Sequence, residues 1–140
     1  MKKNYILISS LILTLVFLQP LRADPNKESK AKEASDAWLS VVDAGKYSES
    51  WQNTSSYFKN AVDENQWEKS LNSIRTPLGG VLSRKAISHK YTTTLPGAPD
   101  GEYVVIQYET SFKNKASAIE TVTPFLEKDG IWRVSGYYIK

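Results

Sequence analysis

The stretch that decides the fold is the C-terminal segment, residues 112–140, which reads FKNKASAIETVTPFLEKDGIWRVSGYYIK. Its Asp129-Gly130 pair is the strongest short-range signal of a β-hairpin, because both residues tolerate the positive φ angles of a two-residue loop. With such a loop, Thr121 faces Tyr138 on the neighbouring strand. The segment therefore predicts antiparallel strands joined by a tight turn.

A second hairpin is predicted just before the first. Lys113-Asn114 can form a two-residue loop, and Tyr108 then faces Ile119. Because side chains alternate along a strand, the two loops together select one inward face of the sheet. That face consists of Val104, Ile106, Tyr108, Ile119, Thr121, Phe125, Trp132, Val134 and Tyr138. A slip of one residue would turn a strand over, and on the third strand it would bring Glu120 inward.

Upstream of these strands the apolar residues repeat every three or four positions, which is the period of a helix. A first helix is predicted over 26–44 and a second from Ser48. A third begins at Asp63, where Gln66 completes a variant of the capping box. After Gly80 the period becomes two, and strands are predicted at about 81–94, 102–112, 116–127 and 131–139. The predicted fold class is α+β, with about three helices on a curved four-stranded antiparallel sheet.

The connection between the first two predicted strands has the sequence LPGAPDG, residues 95–101. Proline presets the φ angle of a turn, and glycine accepts the positive φ that follows it. The connection is therefore interpreted as a wide corner between strands rather than as an active-site loop.

The first 23 residues are predicted to be a secretory signal peptide. Lys2 and Lys3 give a positive start, residues 5–18 are mostly apolar, and the small Ala23 precedes a polar segment. The apolar part is too short for a stable membrane span, although a retained anchor is the alternative. The protein is therefore expected in the periplasm or secreted, with residues 24–140 as a single α+β domain.

The charge balance differs between the precursor and the exported chain. The sequence has 18 Lys and Arg and 15 Asp and Glu, but Lys2, Lys3 and Arg22 lie in the predicted signal peptide. The mature chain is then neutral, which argues against nucleic acid and, once the signal is removed, against a membrane as partner. The chain has no Cys, which excludes disulfides, thiolate nucleophiles and cysteine metal sites.

No motif in the sequence identifies a reaction. His89 is the one histidine, which is too little for a zinc site, and no acid adjoins it in sequence to suggest a Ser–His–acid triad. No catalytic residue, metal site or cofactor is therefore predicted. The four tryptophans lie on apolar faces, which favours core packing over ligand stacking. The polar candidates for a pocket between helices and sheet are Arg75, Arg84, His89 and Glu120, the two arginines alternatively forming structural salt bridges.

The outer face of the predicted sheet is more apolar than a face that meets only water. Such a patch usually marks an interface, and the partner favoured here is a second copy of the chain. A tolerated solvent-exposed face is the alternative. The candidate interface residues are Tyr103, Val105, Val122, Tyr137 and Ile139.

Four segments of the chain resemble a family of small exported bacterial proteins, the domain of unknown function 4019. They are WLSVVDAGKYSESW, TPLGGVLSRK, LPGAPDGEYVVIQYETSF and ETVTPFLEKDGIWRVSGYYIK. The order of helices followed by a curved sheet is also similar to the nuclear-transport-factor-2-like, or cystatin-like cone, architecture. The resemblance implies an exported compartment and a pocket between helices and sheet. Because members of that architecture include isomerases, dehydratases, ligand binders and dimerisation modules, it implies no single activity.

The sequence thus favours an exported small binding or interaction domain. Its possible partners are a second copy, a small ligand or an envelope protein. The alternative is a pocket enzyme of the isomerase or dehydratase kind, which would need a carboxylate turned into the pocket as its base.

Overall fold

The computed structural model describes residues 24–140, and the predicted signal peptide lies outside the described residues. The helices are α1 (Pro25–Asp43), α2 (Tyr47–Gln52), α3 (Ser56–Ala61) and α4 (Glu64–Leu78). The strands are β1 (Val81–Thr92), β2 (Tyr103–Phe112), β3 (Lys115–Leu126) and β4 (Trp132–Ile139). They form one antiparallel sheet in the order β1-β2-β3-β4, which confirms the predicted α+β class. No described helix combines the length and the hydropathy needed to cross a bilayer.

The helix starts follow the capping chemistry of the sequence. Asp63 accepts a hydrogen bond from the backbone N–H of Gln66 at 2.8 Å, as the predicted capping box requires. The single helix predicted from Ser48 is instead two short helices, α2 and α3. They are separated because Ser55 caps α3 with its hydroxyl and donates its own backbone N–H to the carbonyl of Val134.

The β2–β3 hairpin has the predicted loop but a different register beyond it. Phe112 pairs with Lys115, as expected from a loop at Lys113-Asn114. Between this pair and the next, β3 contains one more residue than β2, so Tyr108 faces Glu120. Because of this shift, the prediction that Ile119, Thr121 and Phe125 point inward is wrong. Glu120 and Val122 face the helices instead.

The β3–β4 hairpin has a second irregularity, at Pro124. Thr121 pairs with Tyr138 as predicted, but β4 contains one extra residue between Tyr137 and Val134. Proline has no N–H to donate to a neighbouring strand, so within a sheet it is tolerated mainly at edges and bulges. The bulge turns Tyr137 inward and leaves Tyr138 55% exposed, so the prediction of an inward Tyr138 is wrong.

The core lies between the sheet and α1, which packs across all four strands. Its centre is an aromatic group in which the ring of Trp38 lies 6.1 Å from Trp67 and 5.2 Å from Tyr137. The indole N–H of Trp38 donates to the carbonyl of Ser50 at 2.8 Å, so burial leaves this donor satisfied. Trp132 is also buried, which confirms that three of the four tryptophans are core residues.

The connection between β1 and β2 covers one end of the outer face. The hydroxyl of Tyr103 donates to the carbonyl of Pro99 at 2.6 Å, and its ring packs on Phe125 at 4.8 Å. A Cβ added at Gly101 would stand 2.5 Å from the Phe125 ring, so this close approach requires glycine. Residues 95–101 therefore form a corner that closes over the sheet, in agreement with their interpretation.

Because of the register shifts, most of the predicted interface residues are not accessible on the outer face of the sheet. Val122 and Tyr137 belong to the inner face and pack in the core, and Ile139 pairs with the inward Glu120. Tyr103 does lie on the outer face, but it is buried beneath the corner. Val105 alone among the five candidates is on the outer face and partly accessible.

Candidate functional site

Glu120 is a fully buried acid on the inner face of the sheet, with 0% of its surface exposed. Thr110 donates its hydroxyl to Oε1 at 2.5 Å, and Arg84 donates from Nε to the same oxygen at 2.7 Å. Tyr137 donates its hydroxyl to Oε2. Arg84 and the two hydroxyls thus supply three hydrogen-bond donors to this carboxyl group.

Arg84 connects this acid to the C-terminal end of α1. Its Nη1 donates to Oδ2 of Asp43 at 2.6 Å, and its Nη2 donates to Oδ1 at 3.0 Å. Arg75, in the last turn of α4, donates from Nη2 to Asp43 Oδ1 at 2.7 Å. Its Nη1 lies 3.4 Å from the hydroxyl of Tyr137. Each arginine is therefore held beside an opposite charge, in the geometry of charge-assisted hydrogen bonds.

The contacts converge from six different elements. Helices α1 and α4 each contribute one residue, and so does each of the four strands. We call this set the Glu120 cluster; it consists of Asp43, Arg75, Arg84, Thr110, Glu120 and Tyr137. Because the set includes residues from both layers, it fixes the ends of two helices onto the sheet.

The cluster shifts the pKa values of its members. Burial disfavours the ionised form of Asp43, but hydrogen bonds from Arg84 and Arg75 outweigh it, so the pKa of this carboxyl lies below its usual value. Burial opposes the charge on Arg84, yet Asp43 and Glu120 raise its pKa above an already high value. Burial, followed by the charge of Glu120, raises the pKa of the Tyr137 phenol well above its usual value. At neutral pH, Tyr137 therefore stays a hydrogen-bond donor.

A groove of about 260 Å³ between α1 and β1 gives solvent access to one side of Arg84. Tyr108 also lines it, with its hydroxyl 2.8 Å from Oδ1 of Asp36 and 2.9 Å from the hydroxyl of Ser35. Glu120 does not line the groove. A molecule bound there would meet Arg84 and Tyr108 but not the buried carboxylate.

Three of the four pocket candidates, Arg75, Arg84 and Glu120, come together in the cluster, and His89 does not. Nε2 of His89 lies 3.0 Å from Oε2 of Glu28 near the start of α1, in an exposed position on β1. Both arginines form salt bridges: Arg84 pairs with Glu120, one of the partners considered with Glu102 and Glu109, and both arginines pair with Asp43, which was not considered. Within residues 24–140, no group of three or more potential ligands is placed to hold a metal ion.

Sequence reasoning did not select Asp43 or Thr110, and it placed Tyr137 on the outer face as an interface residue. Asp43 carries a usable signal, because an acid in the last turn of a helix is opposed by the helix dipole and needs a cation nearby. No basic residue lies in that turn of α1, so the cation had to come from elsewhere in the fold. Thr110 and Tyr137 give no comparable signal, since their roles depend on the register of the sheet.

Asp43 predicts how stability depends on pH. Its pKa is lower in the folded than in the unfolded chain, so its contribution is present above the unfolded pKa of about 4 and is lost as pH falls through the folded pKa. We expect Asp43→Asn to lower the free energy of unfolding by about 1 kcal/mol at pH 7, since the pair is partly exposed. The difference from the wild type should shrink below about pH 4. Urea unfolding at pH 7, 5 and 3 measures this, and a difference that stays constant over that range would contradict it.

The chain matches a protein-family model. A search of the curated proteins found none that matches the chain. The family model described as "Protein of unknown function (DUF4019)" matches residues 34–137, which include every residue of the Glu120 cluster. The match spans more than half of the sequence, from the middle of α1 to the inward tyrosine of β4. The chain therefore belongs to the DUF4019 family.

Proposed function

We propose that the protein is exported and that its mature domain is an interaction module, which associates with a second copy of itself through the outer face of the sheet. Export is proposed from the positive start, the apolar run and the small residue at Ala23. The observation that carries self-association is a partly apolar patch on the sheet face opposite the helices. We call it the outer patch; it consists of Val105, Gln107, Ile119, Thr121 and Tyr138.

The outer patch combines apolar and polar side chains from three neighbouring strands. Gln107 pairs with Thr121, which in turn pairs with Tyr138, so three strands present adjacent side chains. Tyr138 is 55% exposed, although its neighbour Thr121 is buried beside it. Tyrosine is a side chain enriched at the centres of protein interfaces. A second sheet packed face to face would remove this ring from water.

The charges around the outer patch suit a second copy as the partner. Lys85 and Glu109 pair across β1 and β2, so this surface carries both signs. A twofold rotation can place the lysine of one copy opposite the glutamate of the other. The mature chain has equal numbers of acidic and basic residues, so net repulsion between copies is weak.

Tyr138→Glu should convert the dimer into a monomer. Burying a carboxylate without a partner is costly, and we expect the dissociation constant of the dimer to rise about a hundredfold. Sedimentation equilibrium of the chain from Asp24 onward measures this, and the mass of the exported protein checks the cleavage after Ala23. Circular dichroism should show an unchanged fold, because the Tyr138 side chain is mostly exposed.

Ile74→Glu is the matched control for this experiment. Ile74 is also an exposed large apolar residue, but it lies on α4, away from the outer patch. It should leave the dimer unchanged, whereas Val105→Glu should act like Tyr138→Glu. A wild type that is monomeric at millimolar concentration would contradict the proposal, and so would a Tyr138→Glu variant that remains a dimer.

A pocket enzyme is the second candidate, and one observation favours it. The register shift turns Glu120 inward, which places a carboxylate on the face of the sheet where a pocket enzyme would need its base. The burial of Glu120 weighs against a role as a base, because the carboxylate is closed to solvent and already accepts three hydrogen bonds from the protein. A ligand-bound structure with a small molecule in hydrogen-bond contact with Glu120 would favour this candidate over the interaction module.

A further inference from the structure

We propose that a groove between α1, the α2–α3 segment and β4 binds an amphiphilic monoanion, that is, an apolar chain ending in a carboxylate. The groove has a volume of about 530 Å³, which is within the range of small-molecule sites. It shares no lining residue with the Glu120 cluster or with the outer patch. The inference therefore goes beyond the proposed self-association and can fail or succeed independently of it.

The walls of the groove are mainly apolar. Ala37 and Val41 line it from α1, Trp132 lines it from the start of β4, and Ile131 lines it from the residue before that strand. Ile131 is 51% exposed, although it stands next to the buried Trp132. An apolar chain laid along these residues would remove Ile131 and Ala37 from water, which is the source of affinity expected here.

The charged residues that line the groove indicate which head group the ligand carries. Two cations line the groove, and Arg133 is already neutralised, with Nη1 at 2.6 Å from Glu127 Oε2 and 2.9 Å from Asp129 Oδ2. Lys59 is different: its ammonium lies 5.8 Å from the centroid of the Trp51 ring, and no carboxylate of residues 24–140 pairs with it. An uncompensated cation beside an apolar groove fits a single negative charge on the ligand.

Two amides strengthen the preference for a carboxylate. Gln52 and Asn53 line the groove together with Lys59, and their side-chain NH₂ groups can donate hydrogen bonds. A carboxylate accepts from both an ammonium and an amide, whereas an alcohol would gain little from the charge of Lys59. A dianion is less suitable, because Arg133 is already paired with Glu127 and Asp129, so Lys59 alone among the cations of the lining is left to balance a negative charge.

The experiment titrates decanoate into the mature domain below its micellar concentration and follows tryptophan fluorescence. Trp38 and Trp132 both line the groove, so occupancy should change the emission in a saturable way. Lys59→Gln should raise the dissociation constant of decanoate about fivefold, the effect of one partly exposed ion pair. Decanol should bind the wild type and Lys59→Gln equally. Lys69→Gln, on the exposed side of α4, is the matched control and should bind decanoate as the wild type does.

A second pair of variants tests the location of the site. Ala37→Phe places a ring in the groove from an exposed helix position, and it should abolish saturable binding with the circular dichroism spectrum unchanged. Ala116→Phe, near the β2–β3 loop, should have no effect on binding. The proposal is overturned if the wild type gives no saturable response, if decanoate binds Ala37→Phe normally, or if Lys59→Gln weakens decanol and decanoate equally.

Discussion

Replacing Glu120 by Leu should lower the free energy of unfolding by about 4 kcal/mol, a large part of the stability of a domain of this size. The variant removes the acceptor that the hydroxyls of Thr110 and Tyr137 share, and it takes away the partner of Nε of Arg84. A buried donor without an acceptor loses its hydration and gains nothing in return. Urea unfolding followed by circular dichroism measures the loss.

Glu120→Gln separates the charge from the shape of the side chain. The amide oxygen can still accept from Arg84, and the amide NH₂ can donate to the hydroxyl of Tyr137, which also serves as an acceptor. We therefore expect a smaller loss, about 2 kcal/mol, because Arg84 keeps its second partner Asp43. Glu109→Gln, an exposed change on β2, should stay within about 0.5 kcal/mol of the wild type. A Glu120→Leu variant as stable as this control would show that the cluster contributes nothing to stability.

The double variant Arg84→Met with Glu120→Leu tests whether the cluster acts as a unit. A buried ion pair is often no better for stability than apolar residues of similar size, whereas half of a pair is much worse. We expect the double variant to recover part of the stability lost in Glu120→Leu. We expect this recovery of stability to be incomplete, because Arg84→Met removes one of the two cations that pair with Asp43.

Most elements of this fold could be predicted from the sequence because they depend on local chemistry, whereas the break between α2 and α3 depends also on the long-range bond from Ser55 to Val134. Asp63 and Gln66 start α4, and the Asn and Gly residues of the hairpins place the turns within a residue or two. Register is not local in the same way, because one extra residue anywhere in a strand inverts every side chain beyond it. The β3–β4 turn illustrates this: Glu127 bonds to Ile131, so the loop has three residues where two were predicted.

Part of the register error had a visible signal. Pro124 stands in the middle of a strand that has a neighbour on each side, where proline is found almost only at a bulge. Gly136 on the next strand is the second mark of such an irregularity. Together these two residues predict a bulge, and a bulge there would have placed Tyr137 on the inner face. The shift in the β2–β3 hairpin has no such marker, so the inward position of Glu120 could be stated only as an alternative.

The candidate site was predictable to the extent that its charges were unusual for their positions. Arg75 and Arg84 flank the boundary between helices and sheet, and both were selected from the sequence. Their shared partner Asp43 lies on a helix more than thirty residues away in sequence. Sequence spacing cannot predict a contact over that separation. His89 was selected by residue type alone, and it lies on an exposed strand position beside Glu28.

Trp38→Ala should destabilise the domain nearly as much as the loss of Glu120, by about 3–5 kcal/mol. The ring is only 4% exposed and packs edge-on against Tyr137, and its N–H satisfies the carbonyl of Ser50. Trp38→Phe, which retains an aromatic ring and loses this donor, should cost about half as much. Chemical unfolding of both variants measures the two losses.

Tyr137 joins the aromatic core to the Glu120 cluster, since its ring contacts Trp38 and its hydroxyl donates to Glu120. The losses caused by Trp38→Ala and Glu120→Gln should therefore not add, because residues that share a partner are coupled. We expect a coupling energy of about 1 kcal/mol between them. Trp38→Ala combined with Glu109→Gln, which share no partner, should be additive. If both double variants are strictly additive, the aromatic core and the Glu120 cluster stabilise the fold independently. Tyr137 would then not couple the two groups of residues.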